Sequence, residues 1–103
     1  MDIFQLTYFL SQACLGEITP NFRNICFTTI NQKIMVYFIL EEKNDAEIED
    51  INQEIMSIFE MLVTDEEDYE KYEINFEIII EPNDFPSNYG QRITIYSRKE
   101  IFD

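Results

Sequence analysis

The stretch RNICFTTINQKIMVYFILE, Arg23 to Glu41, decides the fold. It holds two strand patterns around a turn. Ile25, Phe27 and Thr29 alternate with Asn24, Cys26 and Thr28, the period of two that sends successive side chains to opposite faces. NQK at 31–33 is a short turn. The run from Ile34 to Leu40 is apolar on both faces, as expected of a central strand covered on at least one side. The two strands read as an antiparallel hairpin.

The flanks supply what packs on it. Asn44, with Glu47 three residues later, has the form of a capping box at a helix start. Ile48, Ile51, Ile55, Ile58, Phe59 and Leu62 then fall on one helical stripe, with Glu47, Asp50 and Glu54 opposite. TDEEDYEKY ends this helix as an acidic connection. Upstream, Asp2 can cap a helix carrying Ile3, Leu6, Leu10 and Ala13 at helical spacing. Gly16 stops it, because glycine accepts the left-handed conformation at a helix end, and Pro20-Asn21 turns the chain.

Downstream, YEINFEIII points Tyr72, Ile74, Phe76, Ile78 and Ile80 inward and Glu73, Asn75 and Glu77 outward. After the proline-bearing loop EPNDFPSNYG, QRITIYSR places Ile93 and Ile95 inward and Arg92, Thr94, Tyr96 and Arg98 outward. If these last strands are antiparallel neighbours, Glu73 and Glu77 face arginines across the pair and help fix register. The order is α-β-β-α-β-β. Burying one face of each strand and one stripe of each helix predicts an α+β two-layer sandwich, two helices on one face of a four-stranded antiparallel sheet. The 103 residues fit a single domain, 1–103.

Charge is the outstanding feature. The net is −14, and 17 acids but only 2 lysines fall between Glu41 and Asp84, leaving 4 acids and 5 bases elsewhere. Such a field repels nucleic acid and anionic membranes and steers basic proteins toward the chain. It exceeds the magnitude of about 2–8 that suits a small domain, which favours a partner over solubility alone.

Catalytic chemistry is hard to find. With no histidine, the commonest general base, nucleophile partner and transition-metal ligand is missing. The two glycines form no phosphate-cradling loop, and no basic patch interleaves with aromatics. TDEEDYE lacks the glycine and ligand spacing of a calcium loop. Cys14 and Cys26 sit in apolar surroundings without metal or redox spacing and read as buried free thiols of a cytosolic protein, a disulfide between them being the lesser alternative. No apolar run approaches the roughly 18 residues a membrane span needs, and MDIFQLTYFL lacks the basic start of a signal peptide. The expectation is a non-enzyme without metal or cofactor.

What remains is recognition. Glu47, Asp50 and Glu54, continued by Asp65, Glu66, Glu67, Asp68 and Glu70, make an acidic surface with Tyr69 embedded in it. Charge gives fast encounter with a basic protein and tyrosine gives contact area; any single carboxylate reads better as a solvated helix residue, and only for the whole cluster do the two readings balance. The loop residues Phe85, Asn88 and Tyr89 are a second candidate contact, or part of a loop folded back over the sheet.

ACLGEITPNFRNI, Ala13 to Ile25, resembles a pattern of small acidic bacterial proteins, Ala-x-Leu-Gly-x-Ile-Ser/Thr-Pro-Asn-x-Arg followed by a strand. KIMVYFILEEKNDAEIEDINQEI, Lys33 to Ile55, resembles the same group as a hydrophobic strand running into an acidic helix. The group is that of immunity proteins of polymorphic toxin systems, including contact-dependent growth inhibition; the second half matches only in architecture. The resemblance implies a cytoplasmic protein that binds a cognate toxin domain and blocks it, such toxins frequently being nucleases with basic clefts. Gly16, Pro20, Asn21 and Arg23 match the motif without carrying a binding role from it, and no catalytic residue carries over. Arg23, at a strand start in an acidic chain, is expected to form an internal ion pair.

Three other classes compete, of which a carboxylate-dependent enzyme is made remote by the lack of histidine and glycine loops. An acidic secretion chaperone should expose an apolar groove or dimer face, and the strand patterns leave few apolar residues unassigned. A nucleic-acid mimic should space its charges like phosphates, whereas these acids cluster. The resemblance makes the expected partner a toxin protein domain, and the charge disfavours nucleic acid and membrane; a monomer or weak dimer is expected.

Overall fold

The computed structural model describes residues 2–65, 72–83 and 92–99. Helix α1 spans Ile3–Cys14, and Asp2 caps it by accepting the Gln5 N–H at 2.7 Å. Leu6, Phe9, Leu10, Ala13 and Cys14 are buried; Ile3, expected on the same stripe, stays exposed. Gly16, at φ 79°, ends the helix as expected.

The hairpin is β1 (Phe22–Ile30) with β2 (Lys33–Leu40), antiparallel from Ile30↔Lys33 to Phe22↔Leu40. Its two-residue turn places Asn31 at φ 52° and Gln32 at φ 65°. Two positive φ values match the twist of the flanking strands, which is why such turns favour Asn-Gly. A bulge between Phe22 and Asn24 lets Phe22, Ile25 and Phe27 all join the core.

The second helix is not uniform. It runs as α2 (Asp45–Asp50), a π-helical segment (Ile51–Ile55) and α3 (Met56–Thr64). The wider turn, in which the Met56 N–H reaches Ile51 O, shifts the apolar stripe. Ile51 and Ile55 are buried as expected, Met56 and Val63 join Phe59 in the core, and Ile58 and Leu62 are half-buried.

The sheet corrects the sequence reading. It is mixed, with strand order β3-β2-β1-β4, where β3 is Glu73–Ile80 and β4 is Ile93–Ser97. Strand β3 runs parallel to β2, from Lys33↔Glu73 to Leu40↔Ile80, and β4 pairs antiparallel with β1. The last two strands lie at opposite edges, so the expected antiparallel pairing of Glu73 and Glu77 with arginines does not occur. The physical reason is the helix between β2 and β3. At ~1.5 Å per residue it travels about 30 Å, roughly the length of β2, and returns the chain to the end where β2 began. A strand following such a crossover runs parallel to the one before it.

A second irregularity, between Ile25 and Cys26 opposite Tyr96 and Thr94, explains a smaller difference. It brings Tyr96, expected outward, against the core together with Ile93 and Ile95. The core lies between the helices and one sheet face, with Phe38 edge-on to both Phe22 and Phe76.

Gln32→Gly should stabilise the protein by about 1 kcal/mol, because a non-glycine residue in the left-handed region costs roughly that. Urea unfolding checks this; an unchanged midpoint would contradict the strain assigned to the turn.

Candidate functional site

The turn TPN at 19–21 is the polar centre of the structure. Asn21 Nδ2 donates to Glu42 O at 2.8 Å and to Glu47 Oε2 at 2.8 Å, while Asn21 Oδ1 accepts the Glu42 N–H at 2.9 Å. Thr19 Oγ1 donates to Glu47 Oε1 at 2.6 Å, so both carboxylate oxygens of Glu47 are engaged. The Glu41 N–H adds a bond to Asn21 O at 2.9 Å. From just past β4, Arg98 Nη1 donates to Pro20 O at 2.7 Å, and Arg98 Nη2 pairs with Glu41 Oε1 at 3.1 Å. One turn thus joins the entry to β1, the β2–α2 junction and the end of β4.

Half of the expected capping box is present. Asn44 Oδ1 accepts the Glu47 N–H at 3.1 Å. The Glu47 side chain, expected to face a partner, instead holds the TPN turn. Sequence spacing gave its helical position but not this contact, which joins residues 26 and 28 apart in the chain.

Arg23 is only 4% exposed. Its Nη1 donates to Glu81 O at 2.6 Å and to Asn83 O, gripping the backbone just after β3. At the other end of the same connection, the Arg92 guanidinium stacks 3.7 Å over the Tyr37 ring. Tyr37 points away from the helices, so Arg92 lies on that sheet face.

Of the expected recognition residues, Asp50, Glu54 and Asp65 are exposed, as are Glu49 and Glu60 on the same helix. Glu66, Glu67, Asp68, Tyr69 and Glu70 lie outside the described residues, as do Phe85, Asn88 and Tyr89. Glu73 pairs with Lys33 at 3.9 Å; both are exposed, so the pair adds little to stability.

The sequence reading missed a surface. Phe4, Tyr8 and Leu15 are 84%, 60% and 69% exposed along the outer side of α1. At the end of the stripe a cavity of about 250 Å³ opens between Cys14–Gly16, Ile18 and the β4 residues Ile95 and Tyr96. The signal was available: from Ile3 to Leu15 no residue is charged, so the helix is not conventionally amphipathic.

Among the described residues no group of three or more His, Cys, Asp or Glu could hold a metal. Nor, among the described residues, is any helix long and apolar enough to cross a membrane. Cys14 and Cys26 are free and buried. Burial, helped by the Glu17 charge, pushes the Cys14 thiol from 9.0 up to about 12. Burial also raises Cys26, against a lowering influence from Arg92.

Fold and surface together define a small acidic α+β protein whose distinctive chemistry is a carboxylate-rich helix beside an uncharged one. A family model described as MafI2 immunity protein matches residues 4–100, and the chain belongs to that family. The match extends the resemblance noted in the first half over nearly the whole sequence. No curated protein matches.

At pH 8 both thiols should be protonated and should resist a disulfide reagent until the protein is unfolded. Above pH 9 the unfolded Cys14 ionises while the folded one does not, so stability should fall as pH rises from 9 toward about 12. Rapid labelling of either thiol in the native state at pH 8 would contradict their placement.

Proposed function

We propose that this chain is the immunity protein of a polymorphic toxin system, of which contact-dependent growth inhibition is one kind. It acts in the cytoplasm by binding a cognate, net-basic toxin domain, a nuclease by preference, and neutralising it. Family membership supports the role. The observation that carries the chemistry is the crowding of 17 of the 21 acids between Glu41 and Asp84. A basic substrate cleft is the surface that such a field attracts and that an acidic inhibitor occupies.

Asp50, Glu54 and Asp65, with Glu66, Glu67, Asp68, Tyr69 and Glu70 next in sequence, form the steering surface in this reading, and Tyr89 is a further contact. Glu47 contributes its field from within the TPN network. The protein works by occupancy, without catalysis, metal or cofactor, as a monomer or weak dimer. It does not engage nucleic acid or membrane, since its charge repels both.

Co-expression with its cognate toxin domain should protect the host and yield a stable complex. Asp50→Lys with Glu54→Lys should slow association several-fold and flatten its dependence on salt, as stopped-flow mixing across ionic strengths will read. Failure to protect or to form a complex would overturn the immunity reading; unchanged association kinetics would move the electrostatic contact off this helix.

A further inference from the structure

The outer face of α1 is chemically out of place. In a chain of net charge −14, a solvent-facing helix would ordinarily carry charged residues outward. Here the inward side is apolar, through Leu6, Phe9, Leu10 and Ala13. The outward side carries Phe4, Tyr8, Ser11 and then Leu15 just past the helix end, at spacings of 4, 3 and 4. An uncharged helix that carries large apolar side chains outward as well as inward suits a covered environment, and exposed apolar side chains grouped on one face mark an interaction surface. The stripe leads into the cavity of about 250 Å³ beside Leu15, Ile18 and Tyr96, an apolar recess suited to a bulky apolar side chain.

The surroundings select the occupant. Helix α1 packs alongside the π segment and α3. The exposed carboxylates Glu54 and Glu60 belong to that neighbouring helix. A second copy of this chain docking here would bring its own acidic helix toward this one, and like charges juxtaposed across an interface cost several kcal/mol. A net-basic protein gains where a copy would lose.

We infer that the α1 stripe and its terminal cavity form the apolar centre of the toxin-binding interface. The stripe receives an apolar protrusion of a basic toxin domain while the adjoining acidic helix supplies the charged rim. This rests on the immunity reading and adds to it the anchor that charge alone cannot provide. Rim charges chiefly set the rate of encounter, and buried aromatic contacts chiefly set how long the complex lasts.

The test compares wild type, Phe4→Ser with Tyr8→Ser, and Leu15→Ser at the cavity. Each is titrated with the purified, catalytically inactivated toxin domain, and each is sized alone by sedimentation. These residues are exposed, so circular dichroism and melting should be unchanged. The double variant should bind about 100-fold more weakly and Leu15→Ser about 10-fold, through faster dissociation with the salt dependence retained. Binding within about threefold of wild type by both variants, in the face of tight wild-type binding, would overturn this inference and leave the immunity reading standing. A wild-type dimer that the double variant breaks into monomers would also overturn it, by showing that a second copy covers the stripe. No binding by wild type itself would remove the immunity reading and this inference together.

Discussion

The hydrogen bonds from Asn21 and Thr19 to Glu47, and from Asn21 to Glu42, are the constraint on which the arrangement of layers depends. Hydrophobic burial is non-directional and would tolerate several placements of two helices on a four-stranded sheet. The TPN turn removes that freedom. It ties the end of the α1–β1 connection to the first turn of the second helix, and Arg98 ties the end of β4 to the same place. Because the Asn21 amide uses both its donors and its acceptor, any shift of the helix start leaves polar groups without partners. The TPN turn is thus a joint between elements.

The joint has a consequence for the surfaces. With the second helix fixed at its start, the π segment sets the rotation of α3, so Met56 and Val63 turn inward beside Phe59. Helix α1 lies against this helix and presents Phe4 and Tyr8 outward. The acidic and apolar faces therefore belong to adjacent helices in one layer, which is the geometry that lets a single partner meet both.

Much of this was legible in the sequence because it is local. The β1–β2 hairpin, both N-caps, the Gly16 stop and the burial of both cysteines come from periodicity and residue chemistry within a few positions. The parallel placement of β3 was missed because alternation reports which face a residue takes and is silent about its neighbour. The direction of the intervening helix carried that information. The π turn and the Tyr96 inversion were missed because one inserted residue changes a phase that pattern-reading assumes constant. For the site, the exposure of Asp50 and Glu54 was readable from helical spacing. The engagement of Glu47 was not, since its partners lie on another element. The α1 stripe was readable from its lack of charge, although the inward apolar positions alone suffice to place the helix on the sheet.

The most direct measurement of the central claim is a double-mutant cycle on Asn21→Ala and Glu47→Ala, read by urea unfolding. If the TPN turn and the helix start act as one unit, the two losses will fall short of additivity by about 1–2 kcal/mol, since removing either partner already breaks the shared bonds. Additive losses, with a coupling below about 0.3 kcal/mol, would contradict the account and leave packing alone to seat the helices.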